Sequence, residues 1–282
     1  MDSADMSWQE KDDELHSESR KRSVDPPKRR PRMVAVANQK GGVGKTTTTV
    51  NLAACIASRG FDILVIDMDP QGNATSAFGV DKSELDGTVY DVLLGLKSVA
   101  EVKIPTVVDR LSLVPANRDL SGAQIELVEW TRREFCLNSA LDGAVDEYDY
   151  VFLDCPPSLG LLTLNSLVAA DSVIIPLQCE FYALEGISQL LETVNLVMQR
   201  LNPMLNIEGV LLTMFDVRTN LSRQVADEVR SHFPQNTFET VIPRNVALSE
   251  APSFGVPVIL HDSTSRGAMS YWALTDEVLD NG

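Results

Sequence analysis

The 282-residue chain is 44% hydrophobic and 23% charged, a composition typical of a folded globular protein, which excludes a disordered or collagenous chain. Its length allows one α/β core plus a tail, and its apolar runs stay below the roughly 18 residues that a membrane span requires. The amino-terminal residues also lack the apolar core of a signal peptide, so we expect a cytoplasmic protein that has no membrane partner.

The formal net charge of −16 argues against a nucleic-acid partner, but the charge is unevenly distributed. Residues 1–32 contain eight acidic and eight basic side chains, so the net charge belongs to the rest of the chain. Pro26, Pro27 and Pro31, together with the lack of apolar periodicity, predict a disordered tail over residues 1–32. Its basic cluster would bind DNA phosphates or an acidic partner, or would remain solvated. The cluster consists of Arg20, Lys21, Arg22, Lys28, Arg29, Arg30 and Arg32.

The chain has four cysteines, which lie far apart in the sequence: Cys55, Cys136, Cys155 and Cys179. They form no C-x-x-C pair, and each lies in an apolar stretch. This spacing favours reduced cysteines in the core over a disulfide framework or a metal site.

From Met33 onwards, short β-type runs alternate with helical stretches, which is typical of a parallel sheet covered by helices. The predicted strands are 33–37, 63–67, 111–114, 150–154, 172–176, 207–213 and 239–242. The predicted helices are 45–58, 88–94, 122–127, 132–145, 160–169, 184–201, 220–232 and 267–279. We therefore predict an α/β fold with a mainly parallel twisted sheet flanked by helices, in a single domain over residues 33–282 that follows the tail.

The first predicted strand leads into a glycine-rich loop and then a helix, which is the context of a phosphate-binding loop. Glycines let consecutive backbone N–H groups turn toward an anion, and the helix N-terminus adds a favourable dipole. Lys45 would reach the β- and γ-phosphates of a nucleotide, and the Thr46 hydroxyl would complete a Mg²⁺ shell. The strict pattern G-x-x-x-x-G-K-[ST] fails by one residue, because Gln39 replaces its first glycine. The predicted phosphate contacts are Gly41, Gly42, Val43, Gly44, Lys45, Thr46 and Thr47.

Two further predicted strands end in carboxylates, and ligands bind at the carboxyl ends of the strands in open α/β sheets. Asp67 and Asp69 follow one strand at spacing i, i+2, which puts both on one side of an extended chain and toward the same metal or water. They could alternatively be turn-forming acids before Pro70. Asp154 ends another strand, as in a Walker B motif, where the acid orients Mg²⁺ or its waters. The three strand ends together predict a P-loop NTPase.

The chain resembles the ParA/Soj family of chromosome-partitioning ATPases, which carry the deviant Walker A loop of the ParA/MinD class. The loop has the second lysine of that class, Lys40, before its glycines. The stretches 67–73 and 154–160 are similar to the family's A′ and B boxes. Further similar stretches are 177–186, 211–220 and 241–245, and the resemblance covers about residues 33 to 280.

This resemblance implies an enzyme that hydrolyses ATP with Mg²⁺. Asp69 would orient or deprotonate the attacking water, while Thr46, Asp67 and Asp154 would organise the metal's shell. Lys40 would reach across a dimer interface to the other subunit's phosphates, in the manner of an arginine finger. Two ATP molecules would then lie between two chains.

In the same family, Pro243 and Asn245 lie where the adenine is contacted, although an ordinary turn at a strand end remains the alternative at these positions. The family binds non-specific duplex DNA in the ATP dimer, and Arg218 is the matching basic residue here. Relatives commonly have arginine at the position of Ala247, so one expected phosphate contact is missing.

The implied function is a dimeric switch for chromosome or plasmid segregation, in which ATP favours the homodimer and hydrolysis releases it. A ParB-like protein would stimulate hydrolysis, and the protein would associate with the nucleoid.

Four alternatives compete with this interpretation. A membrane-positioning ATPase of the MinD type needs a basic amphipathic anchor, but residues 268–280 are acidic and contain no lysine or arginine. An iron–sulfur ATPase would need cysteines that bridge two subunits. A small-molecule kinase or ligase would need an acceptor for the phosphate. A nucleotide-gated scaffold, or a ParA-like ATPase that positions a protein cargo without binding DNA, would have the same core and stays open.

Overall fold

The computed structural model describes residues 30–180 and 183–280, so the predicted tail falls outside the described residues except at its last three positions. Residues 181 and 182 of the stretch 177–186 fall outside as well. A seven-stranded sheet runs through the described part of the chain in the order β3-β4-β2-β5-β1-β6-β7. The strands are β1 (Arg32–Val36), β2 (Ile63–Asp67), β3 (Ile104–Pro105), β4 (Leu111–Val114), β5 (Tyr150–Asp154), β6 (Ser172–Gln178) and β7 (Asn206–Thr213).

The strands pair in parallel except at the sheet edge, where β3 pairs antiparallel with β4. Helices cover both faces. The α-helices are α1 (Lys45–Ser58), α2 (Asn73–Ala77), α3 (Val89–Leu93), α4 (Val99–Val102), α5 (Leu120–Glu126), α6 (Cys136–Leu141), α7 (Leu161–Ala169), α8 (Ala183–Arg200), α9 (Asn220–His232), α10 (Val246–Glu250), α11 (Val258–His261) and α12 (Arg266–Asp280). Short 3₁₀ turns occupy Leu127–Glu129, Arg133–Phe135 and Ala251–Phe254.

The central strands are apolar throughout because both of their faces are buried. Alternate side chains point to opposite faces, so Val34 and Phe152 pack toward α1 and α12, whereas Ala35 and Leu153 pack toward α7 and α8. The parallel arrangement brings the ends of β1, β2 and β5 to one edge of the sheet. The fold class predicted from the sequence is confirmed.

The predicted strand at 239–242 is wrong. The backbone amides of Glu239 and Thr240 donate to the Glu277 carboxylate of α12, at 2.7 and 3.1 Å, instead of to a neighbouring strand. The amides of Phe238 and Ile242 still donate to carbonyls of β7, so the segment follows that strand without a continuous ladder. Hydrogen bonds to a side chain of a distant helix therefore take the place of strand pairing in this segment.

The predicted helix at 132–145 is too long. Arg132 adopts a left-handed conformation with φ 60°, and Gly143 does so with φ 69°. These two residues bracket a 3₁₀ turn and the six-residue helix α6. The helices α2, α4, α10 and α11 are also absent from the prediction, because four or five residues are too few for a helical period to be recognised. For α4, the capping box formed by Ser98 and Glu101 was a usable signal.

Strand β1 begins at Arg32, one residue before the predicted start of the domain. Arg32 was predicted to belong to the basic cluster of the tail, and this prediction is wrong. One guanidinium nitrogen of Arg32 lies 2.6 and 2.7 Å from the two carboxylate oxygens of Glu208 on β7. The Glu208 side chain is only 2% exposed. Arg32 therefore belongs to the folded domain, where it neutralises a buried acid.

All four cysteines are free, as predicted. Cys55, Cys155 and Cys179 are buried, and burial raises the pKa of the Cys55 and Cys155 thiols to about 12. Cys136 is half-buried, so it is not a core residue. Within residues 30–180 and 183–280, no helix is both long and apolar enough to cross a membrane.

Replacing Arg32 by alanine should destabilise the fold, because it leaves the buried Glu208 carboxylate without its cation. We expect Arg32→Ala to lower the free energy of unfolding by about 2–4 kcal/mol in chemical denaturation. The control is Asp276→Asn, which removes an ion pair with Arg59 whose two side chains are about half exposed, and which should cost about 1 kcal/mol or less. Equal losses in the two variants would contradict the assignment of Arg32 to a buried pair.

Candidate nucleotide-binding site

The loop between β1 and α1 surrounds a cavity of about 390 Å³. Gly42 and Gly44 have φ of 75° and 92°, a backbone conformation that residues with a Cβ atom rarely adopt. The predicted loop residues that line this cavity are Gly41, Gly42, Gly44, Lys45, Thr46 and Thr47. The first turn of α1 thus opens onto the cavity, with the N–H groups that a helix start leaves free.

Val43 takes part in the loop in a different way. Its side chain is 1% exposed, and its carbonyl accepts a hydrogen bond of 2.8 Å from the Thr213 hydroxyl at the end of β7. At the other end of the loop, the Asn38 side chain donates to the Pro176 carbonyl of β6 and accepts from the Lys40 amide. The loop is therefore held by two strands, which limits its freedom to change shape.

Lys45 lines the cavity at the start of α1. Its ammonium donates to the Lys40 carbonyl at 2.9 Å. Burial lowers the pKa of Lys45, and the negative charge of Asp154 opposes that shift. An anion bound in the cavity would therefore meet a partly desolvated cation, whose attraction is stronger than that of an exposed lysine.

Asp154 lies fully buried at the end of β5, beneath the start of α1. Its two carboxylate oxygens accept hydrogen bonds from the hydroxyls of Thr46, at 2.7 Å, and Thr49, at 3.0 Å. Burial and the neighbouring charge of Asp67 raise the pKa of Asp154. Thr49 is not among the residues predicted from the sequence, although its i, i+3 spacing from Thr46 was a signal that both lie on one helix face.

Asp67 and Asp69 have different environments. Asp69 is 6% exposed, lines the cavity, and accepts a hydrogen bond from the Gln71 amide through Oδ1. Asp67 is fully buried, and its carboxylate accepts hydrogen bonds from the Asp69 amide, the Thr75 amide and the Thr75 hydroxyl. Burial raises the pKa of Asp67, and the bonds from Thr75 oppose this. The sequence spacing had not distinguished a cavity-lining acid from a buried one.

Lys40 forms an ion pair with Glu180, a residue for which the sequence suggested no role. Its ammonium lies 3.0 Å from Oε2 of Glu180, and the two side chains are 42% and 46% exposed. The Gln178 side chain donates to the other oxygen of Glu180. Lys40 therefore forms an exposed ion pair within its own chain.

A second cavity, of about 310 Å³, adjoins the first over Gly44 and Thr47. Both predicted adenine contacts, Pro243 and Asn245, line it. The Oδ1 atom of Asn245 is buried and has no hydrogen-bond partner. An unpaired buried acceptor is costly unless a ligand donates to it. The two cavities together have room for phosphates at one end and a base at the other.

Arg218 does not line either cavity. It lies in the loop after β7 with its side chain 82% exposed, and its guanidinium makes two bonds, of 2.9 and 2.7 Å, to Asp216. These bonds hold the pKa of Asp216 well below its usual range. The Arg223 guanidinium donates to the Val217 carbonyl, and the Arg244 amide donates to the Phe215 carbonyl. The side chains of Arg218 and Arg223 thus both contact this loop, and the charge of Arg244 also acts on Asp216.

Comparison with known proteins identifies relatives over most of the chain. A family model described as an AAA domain matches residues 31–207. The chromosome partitioning protein ParA of Myxococcus xanthus is 56% identical over 248 residues, which are 88% of each chain. The sporulation initiation inhibitor protein Soj of Bacillus subtilis is 55% identical over 251 residues, covering 89% of this chain and 99% of Soj.

Among solved structures, one described as cobyrinic acid a,c-diamide synthase from Mycobacterium smegmatis, with a bound ATP analog and magnesium, has a TM-score of 0.79 and 39% identity. The match covers 89% of this chain and 95% of the Mycobacterium smegmatis chain. The residues matched by the family model, 31–207, include the phosphate loop and both predicted acidic strand ends. This chain therefore belongs to the ParA/Soj family of P-loop ATPases.

Proposed function

We propose that this ATPase works as a dimeric switch in DNA segregation, with ATP and Mg²⁺ bound in the groove formed by the two cavities. The observation that carries the proposal is that Lys45, Thr46 and Asp69 line one cavity, which adjoins a second cavity lined by both predicted adenine contacts. The similarity to ParA of Myxococcus xanthus and Soj of Bacillus subtilis supports the segregation role.

The proposed nucleotide is ATP because of the unpaired oxygen of Asn245. The exocyclic amino group of adenine can donate to Asn245 Oδ1, whereas guanine presents a carbonyl oxygen at the corresponding position. Pro243 would contact the base beside it. The Mycobacterium smegmatis structure, which contains an ATP analog and magnesium, supports this choice of ligands.

The proposed metal residues fit Mg²⁺, which binds few protein ligands and relies on substrate phosphates and water. In the part of the chain that the structure describes, no three His, Cys, Asp or Glu side chains are grouped to hold a metal ion by themselves. The Thr46 hydroxyl would bind the ion, and Asp154, already bonded to that hydroxyl, would orient its waters. Asp67 lies in register with Asp154 on the adjacent strand and would add negative charge behind the shell. The ion would neutralise charge that develops on the phosphates.

The proposed reaction is the attack of water on the γ-phosphate, which yields ADP and phosphate. Lys45 neutralises phosphate oxygens, and the backbone amides of the loop hold the β-phosphate. Asp69 has a carboxylate on the cavity wall, where it orients or deprotonates the attacking water. Hydrolysis of this kind depends on positioning more than on covalent chemistry.

The proposed switch uses Lys40. Because Lys40 and Glu180 are both about half exposed, their ion pair contributes about 1 kcal/mol or less, and Lys40 can leave it at little cost. In the homodimer Lys40 would instead reach the partner's nucleotide and complete that site. ATP would thus favour the dimer, and loss of the γ-phosphate would release it.

The proposed track is non-specific duplex DNA on the nucleoid, with a ParB-like protein that stimulates hydrolysis. Arg218 and Arg223 contact one exposed loop, the charge of Arg244 acts on Asp216 of that loop, and these arginines would compensate for the alanine at position 247. A domain boundary near residue 30, with the preceding basic tail as a second DNA contact, is part of the same proposal.

A second candidate comes from the Mycobacterium smegmatis structure, which is described as an amide synthase. For this chain, such an activity would require an acceptor for the phosphate, as in the kinase or ligase considered from the sequence. Release of ADP and phosphate without any added acceptor would favour the switch, whereas dependence on an acceptor would favour the synthase.

Lys45→Ala should abolish nucleotide binding, because the phosphate cavity loses its central cation. We expect at least about a 100-fold weaker affinity for ATP, measured by calorimetry or by a fluorescent analogue. Lys103→Ala, which changes a lysine paired with Glu147 far from the groove, should bind normally. Retained affinity in Lys45→Ala would exclude the phosphate cavity as the nucleotide site.

Asp69→Ala should bind ATP and dimerise but not turn it over, since only the group that handles water is removed. We expect the release of phosphate to fall by about 100-fold or more while the affinity for ATP stays within about twofold. Asp119→Ala, at an exposed position outside the groove, serves as the control. Normal hydrolysis by Asp69→Ala would make this catalytic assignment wrong.

Binding to non-specific duplex DNA should require ATP and should weaken as salt rises. We expect Arg218→Ala to weaken that binding and to reduce its salt dependence by about one phosphate contact. A shortened chain that begins at Arg30 reports the contribution of the basic tail while it keeps Arg32. Binding that fails in both ATP and ADP would overturn the DNA role and leave the protein-positioning ATPase in its place.

A further inference from the structure

The turn that carries Asp69 is held in place by a residue that the proposed chemistry does not use. Helix α2 follows this turn and begins after Gly72, which has φ 63° and no side chain to cap the helix. The amide of Thr75, at the third position of the helix, has no acceptor within the helix and donates instead to Oδ2 of Asp67 at 2.8 Å. Asp67 therefore caps α2 from the end of β2.

The Thr75 hydroxyl adds two further bonds. It donates to Oδ2 of Asp67 at 2.7 Å and accepts from the Ala116 amide at 2.9 Å. Thr75 and Asp67 are both completely buried, so water does not compete for these groups. The hydroxyl joins the end of β2, the start of α2 and the segment after β4.

The same carboxylate reaches Asp69. Its Oδ1 atom accepts a hydrogen bond of 3.1 Å from the Asp69 amide, and the Asp69 carbonyl accepts one from the Gly72 amide. A methyl group at Gly72 would come within 2.6 Å of the Ala116 carbonyl oxygen, so the turn packs closely against that segment. These contacts hold the backbone of the turn, and the Gln71 amide, which donates to Oδ1 of Asp69 at 2.9 Å, orients the carboxylate on that backbone.

We propose that Thr75 is a positioning residue for Asp69, acting through the Asp67 carboxylate. This inference rests on the proposed function, in which Asp69 handles the attacking water. Loss of the hydroxyl removes one donor from Asp67 and leaves the buried Ala116 amide unpaired. The turn then relaxes, and Asp69 loses the geometry that in-line attack requires.

The test compares Thr75→Val, which lacks the hydroxyl, with Thr75→Ser, which keeps it. The rate of ATP hydrolysis is measured against the concentrations of ATP and of Mg²⁺, and thermal unfolding is measured in parallel. We expect Thr75→Val to lower kcat by about 10-fold or more, with KM for ATP and the half-saturating Mg²⁺ concentration within about twofold of wild type. Thr75→Ser should restore most of kcat.

Thr275→Val is the matched control. Thr275 is another fully buried threonine, whose hydroxyl bonds the Tyr271 carbonyl inside α12, away from Asp69. It should lose stability while its kcat stays near that of wild type. If Thr75→Val does not fold, Thr75→Ala takes its place under the same expectations.

Three results would overturn the inference: an unchanged kcat in Thr75→Val, a change confined to KM or to the Mg²⁺ dependence, or a Thr75→Ser variant as slow as Thr75→Val. Failure of the proposed function is distinguishable, because wild type would then release no phosphate, or Asp69→Ala would hydrolyse ATP normally. A fast wild type, an inactive Asp69→Ala and a normal Thr75→Val would reject the positioning role alone.

Discussion

Two buried carboxylates at neighbouring strand ends constrain everything around the site. Asp67 and Asp154 are paired in register on β2 and β5 and are both excluded from solvent. Burial raises the pKa of both acids, and the charge of Asp67 raises the pKa of Asp154 further. Each acid is therefore surrounded by donors, with α1 supplying two hydroxyls to Asp154 and Thr75 supplying two groups to Asp67. These hydrogen bonds hold α1 and α2 against the ends of β5 and β2 at the sheet edge.

This constraint also links the two halves of the proposed chemistry. A cation bound beside Asp154 would lower the pKa of both acids, because it favours their charged forms. The same acids hold Thr46 on one side and the turn of Asp69 on the other. Binding of a metal–nucleotide complex would thus affect Asp69, the residue proposed to orient the attacking water.

The buried acids contrast with the charges at the edge of the site. Lys40 and Glu180 form an exposed pair that stabilises the protomer little, so the lysine can exchange partners. The arginine cluster around Arg218 is similarly exposed, on a chain whose net charge is −16. Association with DNA or with a second copy would depend on these local groups, and the total charge would oppose it, since repulsion from phosphates acts over about one Debye length.

The sequence by itself was sufficient for the fold class, the phosphate loop and the two acidic strand ends, because each depends on local patterns: apolar runs, glycines with positive φ and acids directly after strands. Long-range contacts decided the rest. Glu277 accepts hydrogen bonds from two amides of the predicted strand at 239–242, which are therefore not available for strand pairing. The ion pair with Glu208 holds Arg32 in the sheet. The division between Asp69 on the cavity wall and Asp67 beneath it likewise arose from Thr75, eight residues further on, whose bonds exist only once α2 packs on the sheet.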